Sequence, residues 1–266
     1  MARRGWHGNA MRSWCILLLA GLAAAGAAAD EVGEEIARRH ADRAGGAWKN
    51  LQALYAEGRT LVQGQVVAIR FWIARPNRLR VESAGERDRT VQCFDGRLEP
   101  WYRNTAVTAG APARLPPAER RDFIANADLD GPLADFRAKG CTVDYAGSDE
   151  VLGRPADKVL VMDQADGVTF LWVDRETAEI VKRSVFRITG GRRVTVDTFF
   201  SDFRPVGGVP QPHRIETKQA GQTLYVMVLT SLEANPALPA DLFAAPPGWP
   251  ALLPDREATD PVGRQP

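Results

Sequence analysis

Residues Val168–Phe243 constrain the fold more tightly than any other part of the chain. Apolar and aromatic runs, each long enough for a strand, are interrupted by Asp-Arg-Glu-Thr at 174–177, Gly-Gly at 190–191 and 207–208, and Ala-Gly at 220–221. Breaks of this length and composition close β-hairpins. Parallel pairing would need a crossover of a dozen or more residues between strands, and none of these breaks is that long. The stretch therefore reads as an antiparallel meander.

The same pattern extends upstream. Strands are expected at Leu51–Val62, Gln65–Ala74, Arg78–Ser83, Arg89–Phe94 and Leu98–Tyr102. After Gly140 they resume at Thr142–Ala146, Ala156–Met162, Val168–Val173, Ile180–Ile188, Val194–Phe203, His213–Lys218 and Leu224–Leu232. Alternation along Gln65–Ala74 puts Val67, Ile69, Phe71 and Ile73 on one face, and Val66, Ala68, Arg70 and Trp72 on the other. Both faces are partly apolar, so both are expected to be covered.

Glu31–Ala44 has helical spacing, with Ile36, His40 and Ala44 on one side and Glu34–Arg38 and Glu35–Arg39 as i,i+4 pairs. The proline-rich Asn104–Pro117 is expected to be a mobile loop. Pro117 opens a helix with Phe123, Ile124 and Ala127 as its apolar side. Leu133–Lys139 is expected as a second short helix with Phe136 inward. The fold class is thus mainly β with an α lid (α+β): about eleven or twelve antiparallel strands in one continuous run, strongly curled, with helices over one face.

Residues 1–29 read as a cleavable secretory signal. Arg3, Arg4 and Arg12 precede the apolar Ile16–Ala25, which is too short to span a bilayer comfortably, since that takes ~20 residues. Ala27-Ala28-Ala29 then offers small residues for cleavage before Asp30. Removing this leader takes the 34 basic residues to 31, against 33 acidic. That balance gives no reason to expect nucleic acid as a partner. Residues 247–266 are expected to be a proline-rich flexible tail. Cys93 and Cys141 are the cysteines left after cleavage. In an oxidising compartment they form a possible disulfide, the alternative being two buried thiols.

No residue set supports catalysis, a metal or another cofactor, and the chain is read as not an enzyme. His213 follows Pro212 at a strand start, where a lone imidazole is more often structural than a base. His40 lies on the apolar side of the leading helix and reads as packing. Ser201-Asp202 lacks a Gly-x-Ser-x-Gly elbow. Asp-Leu-Asp-Gly at 128–131 lacks the remaining ligands of a calcium loop.

Three segments carry a resemblance: FLWVDRETAEIVKR, FFSDFRPVGGVPQPHRIET and LTSLEANPALPADLF, together with the upstream DLDGPLADFRAKGCTVDYAGSDEVLGRPADKVLV. They resemble the outer-membrane lipoprotein-sorting protein superfamily, the LolA-like fold, over residues 30–246. The resemblance implies a curved antiparallel half-barrel with helices covering the concave face and an apolar cavity beneath them. It implies a soluble, monomeric periplasmic carrier or binding protein for acylated cargo, lipid or lipoprotein. An inner-membrane transporter would be the donor and an outer-membrane site the acceptor. On that plan Val67, Ile69, Phe71, Ile73, Trp172 and Met227 line the cavity wall, and Phe123, Ile124, Leu133 and Phe136 belong to the lid. The residues themselves leave open a second reading, a sensor or protein-interaction module whose core is simply filled.

Overall fold

The computed structural model describes residues 30–164, 167–189 and 192–253. The leader, the Gly190-Gly191 turn and the last part of the tail lie outside the described residues. Residues 30–42 form helix α1, followed by a single 3₁₀ turn at Ala47–Asn50. The strands up to the insert are β1 (Ala53–Val62), β2 (Gln65–Ala74), β3 (Arg78–Ala84), β4 (Arg89–Phe94), β5 (Trp101–Asn104) and β6 (Ala113–Arg114). Helix α2 is Pro117–Asn126. Then come β7 (Thr142–Val151), β8 (Arg154–Met162), β9 (Val168–Asp174), β10 (Ile180–Thr189), β11 (Arg192–Val206), β12 (Val209–Gln219) and β13 (Gln222–Ala234).

The strands form one antiparallel sheet of 13, one more than the upper count expected from sequence. Its order is β6-β5-β4-β3-β2-β1-β13-β12-β11-β10-β9-β8-β7, so it is not one continuous run. The chain walks outward from β1 to β6, crosses over, restarts at the opposite edge with β7 and walks back to β13. First and last strands meet in the centre. The crossover is α2 with residues 127–141, and it must pass over a face of the sheet to join the two edges.

The seam between β1 and β13 carries a bulge at Glu57/Gly58. A Cβ on Gly58 would sit 2.1 Å from the Val228 carbonyl oxygen, so the close approach there requires glycine. Bulges bend and twist a strand, and this one lies where a half-barrel needs its curvature. The edges are blunted in two ways. β6 is two residues long. At the other edge Gly33 brings the α1 backbone onto β7, where a Cβ would meet the Val143 carbonyl oxygen at 2.5 Å.

The inner face, the one carrying the helices, holds two apolar clusters. Ile36 and Ala37 of α1 and Leu133 pack on Val143, Val159, Val161, Leu171 and Val173 of β7–β9, with Phe136 against them. Phe123 of α2 and Ala127 just after it pack on Leu54, Ile73, Leu79 and Phe94 of β1–β4. The outer face of β1–β5 is covered at its Ala53, Ala74, Cys93 and Trp101 end by residues 238–249 around Phe243. Over β8–β12 it carries an alternating ladder. Lys182 Nζ lies 4.3 Å from the Trp172 ring centroid, and Lys158 Nζ lies 4.3 Å from that of Phe170.

Several expectations are corrected. Leu133–Lys139 is a chain of turns and not a helix, because Asp135 takes φ 50° and breaks helical continuity. The 104–117 connection is tied down. The Asn104 amide donates to Asp88 Oδ2 at 2.9 Å and Thr90 Oγ1 at 2.7 Å, while its carbonyl oxygen accepts from the Ala106 and Val107 N–H groups. Glu34 and Arg39 do not close the expected i,i+4 pairs of α1; they bond Arg137 and Asp157, pinning the helix to the insert and to β8. Residues 245–253 are docked and do not hang free: Trp249 Nε1 donates to the Glu99 carbonyl at 2.9 Å, and Ala251 bridges Leu98.

Candidate functional site

Strand register identifies what the inner face offers. One row across the sheet reads Val67, Thr60, Met227, Ile215, Phe200. The next row towards the hairpin tips reads Val62, Tyr225, Thr217, Thr198, Arg183, Leu171. Along β2 the inner face opens beyond Ile73. Ile73 is 9% exposed beneath α2, whereas Phe71, Ile69 and Val67 are half-buried. Val62, Met227 and Tyr225 are half-buried as well. An apolar wall is thus left partly uncovered between α2 and the tips of β1, β2, β12 and β13.

Helix α2 is held at both ends. Arg120, 5% exposed, donates to both oxygens of Glu99 at 2.8 and 2.9 Å and to the Leu253 carbonyl at 2.7 Å. Burial would raise the Glu99 carboxyl, but the hydrogen bonds from Arg120 and the Leu253 N–H outweigh it and hold the group below its ordinary value. This buried pair locks α2 to the β4–β5 connection and the docked tail. Across the concavity the tether is to β10. Arg187 pairs with Asp122, and Arg183 Nη1 donates to Asn126 Oδ1 at 2.7 Å. Desolvation pulls the Arg183 guanidinium below the usual arginine range, partly offset by Asp122. The Nε atoms of Arg183 and Arg187 are buried and have no hydrogen-bond partner among the described residues. Buried donors ordinarily find a partner, and these two lie on the same face as the apolar wall; the Nε atoms of Arg39, Arg43 and Arg75 are buried without a partner as well.

The candidate residues divide among three places. Val67, Ile69, Phe71 and Ile73 of β2 and Met227 of β13 do share the inner face, on either side of β1. Phe123 and Ile124 lie on α2 against that face, with Phe123 seated in the core. Leu133 and Phe136 belong to the other cluster, beneath α1. Trp172 is corrected to the outer face, where it packs on Val151, Ala156 and Val181 and donates Nε1 to Asp149 Oδ2 at 3.0 Å. Arg183 and Arg187 are the side chains that sequence reading missed. Their signal was present: in VKRSVFRI they share the parity of Val185, a pattern of arginines among inward positions.

Cys93 and Cys141 are free and lie in clusters on opposite faces, so the possible disulfide does not form. Burial pushes the Cys93 thiol up to about 11 and raises that of Cys141, which makes both poor nucleophiles. His213 is buried and donates Nδ1–H to the Gln211 carbonyl at 3.0 Å. Among the described residues no group of three His, Cys, Asp or Glu side chains could hold a metal. No described helix is long and apolar enough to cross a membrane.

No protein-family model and no curated protein matches the sequence. Solved structures do match. A candidate outer membrane lipoprotein-sorting protein domain from Vibrio parahaemolyticus superposes with a TM-score of 0.58 at 10% identity, over 81% of this chain and 97% of its own. A DUF1329 family protein from Desulfovibrio piger gives 0.57 at 12% identity, over 81% and 97%. A LolA superfamily protein from Nitrosomonas europaea gives 0.51 at 14% identity, over 73% and 90%. At such identities the likeness shows the fold.

Proposed function

Because this chain has the LolA-like fold, we propose that it is a non-enzymatic binding protein or carrier for acylated cargo, a lipid or a lipoprotein, held against the inner face. One observation carries the reading: an apolar wall of Val67, Ile69, Phe71 and Met227 stands partly uncovered on the same face as two buried arginine N–H groups that have no partner among the described residues. An acyl chain gains ~0.8 kcal/mol for each CH₂ buried against such a wall. The Nε–H groups of Arg183 and Arg187 would meet an ester or headgroup oxygen. Residues 1–29 would direct export, placing the mature monomer in the periplasm, in lipoprotein sorting or envelope lipid transport. An inner-membrane transporter would supply the cargo and an outer-membrane acceptor would receive it.

The test is solvent extraction of the mature protein purified from its native envelope, with the extract analysed by mass spectrometry, followed by titration with a fluorescent fatty-acyl probe. Recovered lipid and saturable probe binding support the reading; failure of both sinks it. A second reading is a sensor or interaction module with a filled core. The solid packing of Phe123 on Leu54, Ile73, Leu79 and Phe94 favours it. Absence of probe binding together with capture of an envelope protein would select it.

A further inference from the structure

The outer face of β1–β5, on the other side of the sheet from the proposed cargo wall, holds a second arginine arrangement. A groove of about 890 Å³ runs across these strands. Its lining counts five arginines, Arg59, Arg70, Arg80, Arg89 and Arg103, against Glu57 and Glu82, a surplus of three positive charges. The pairing within it is uneven. Arg70 and Arg80 both bond Glu82, at 2.8 and 2.7 Å. Arg59, Arg89 and Arg103 are exposed and have no carboxylate partner among the described residues.

Register explains why this is a groove. One row across β1–β4 reads Arg59, Ala68, Ala84, Arg89. Two arginines thus flank two alanines, three strand spacings apart, about 14 Å. The alanines make a floor, and both long side chains can lean over it towards one anion. The next row reads Glu57, Arg70, Glu82, Val91, Arg103. Guanidinium groups without carboxylates, flanking a shallow floor, suit a tetrahedral oxyanion.

The surroundings decide between a free anion and a lipid headgroup. Beside Arg59, towards the hairpin tips, Leu61 and Val66 face each other on the outer side of β1 and β2. They are 49% and 58% exposed, and Val228, paired with Arg59, is 43% exposed. A free phosphate would leave these side chains idle in water. At a bilayer they would enter the headgroup–acyl boundary while the arginines met phosphates.

We propose that this outer groove, with Leu61 and Val66 at its rim, docks the protein on an anionic membrane through phospholipid phosphates. The docking does not depend on the inner wall being loaded. Binding of residues 30–266 is measured by co-sedimentation with vesicles of phosphatidylglycerol and phosphatidylcholine in equal parts, and with phosphatidylcholine vesicles alone. The protein should bind the first and not the second, and should release as salt is raised. Arg59→Ala with Arg89→Ala should weaken binding at least about tenfold, the effect of two basic residues near an anionic surface. Leu61→Ser with Val66→Ser should weaken it with charge unchanged. Arg38→Ala with Arg97→Ala, the same charge loss on other exposed surfaces, should leave it intact, and fatty-acyl probe binding should be unaffected throughout. The proposal fails if the protein ignores the anionic vesicles, if the two arginine pairs lose binding equally, or if inorganic phosphate at millimolar concentration displaces the protein completely.

Discussion

The two halves of the inner face use the same strand chemistry and end differently. Over β7–β9 the cover is made by direct apolar packing. Gly33 lets the α1 backbone touch the sheet, and Leu133, Val159 and Val173 are at most 1% exposed. Over β1–β4 the cover is α2, which packs through Phe123 and Ile124 and is tethered by the Arg120–Glu99 pair and the β10 arginines. Under it, exposure rises along β2 from Ile73 to Val67. A helix seated by its own apolar stripe fills a concavity. A helix tied by charged side chains at its ends leaves the inner positions of β2 beyond its Phe123 contacts half-buried.

The sharpest way to break this comparison is to cut the buried anchor of α2. Glu99→Gln leaves Arg120 charged and poorly paired in a site 4–5% exposed, and should cost about 3–5 kcal/mol in denaturant unfolding. Next in size is Leu133→Ala in the filled half. It should cost ~2–5 kcal/mol and leave acyl-probe affinity unchanged. Ile69→Ala in the open half should show the reverse, about 1 kcal/mol in stability with a clear loss of probe affinity.

The filled half should also be the acid-sensitive one. His40, packed under the α1 side, donates Nδ1–H to the Ala178 carbonyl at 2.8 Å, and burial with the nearby Arg43 lowers its pKa to about 3. The unfolded chain takes up this proton near pH 6.5 while the fold resists it until about pH 3. Stability is therefore complete above pH 6.5 and falls as pH drops, by about 1.4 kcal/mol per pH unit inside that window. His40→Gln should flatten the slope relative to the native chain, read as unfolding midpoints between pH 6.5 and 4. The smallest effect expected is none: a thiol reductant should leave the midpoint unmoved, since Cys93 and Cys141 are not joined.

Local alternation carried much of the fold. Gln65–Ala74 and Arg89–Phe94 are strands with the bounds their sequence suggests, and the inner face of β2 follows from period two. What failed was non-local. Nothing near β1 or β13 announces that they are neighbours, so the crossover role of α2 was invisible until the strand order was known. Trp172 was placed on the wrong face because β9 is covered on both sides. Its Phe170-Trp172 and Leu171-Val173 pairs are equally apolar, and alternation cannot then choose between them. Proline content misrepresented the start of the 247–266 stretch, where Trp249 finds the Glu99 carbonyl only in three dimensions. The inward arginines were legible in parity but not in meaning, because their partners Asp122 and Asn126 sit on a helix far along the chain.

The central claim, that the inner face of the open half and not its outer face holds the acyl chain, is tested most directly by placing one charge on each side of β2. Ile69 and Ala68 are adjacent, and their side chains point to opposite faces. Fatty-acyl probe titration of Ile69→Asp and Ala68→Asp, with folding checked by circular dichroism, should show binding abolished by the first and retained by the second. Equal affinity in both variants would contradict the account.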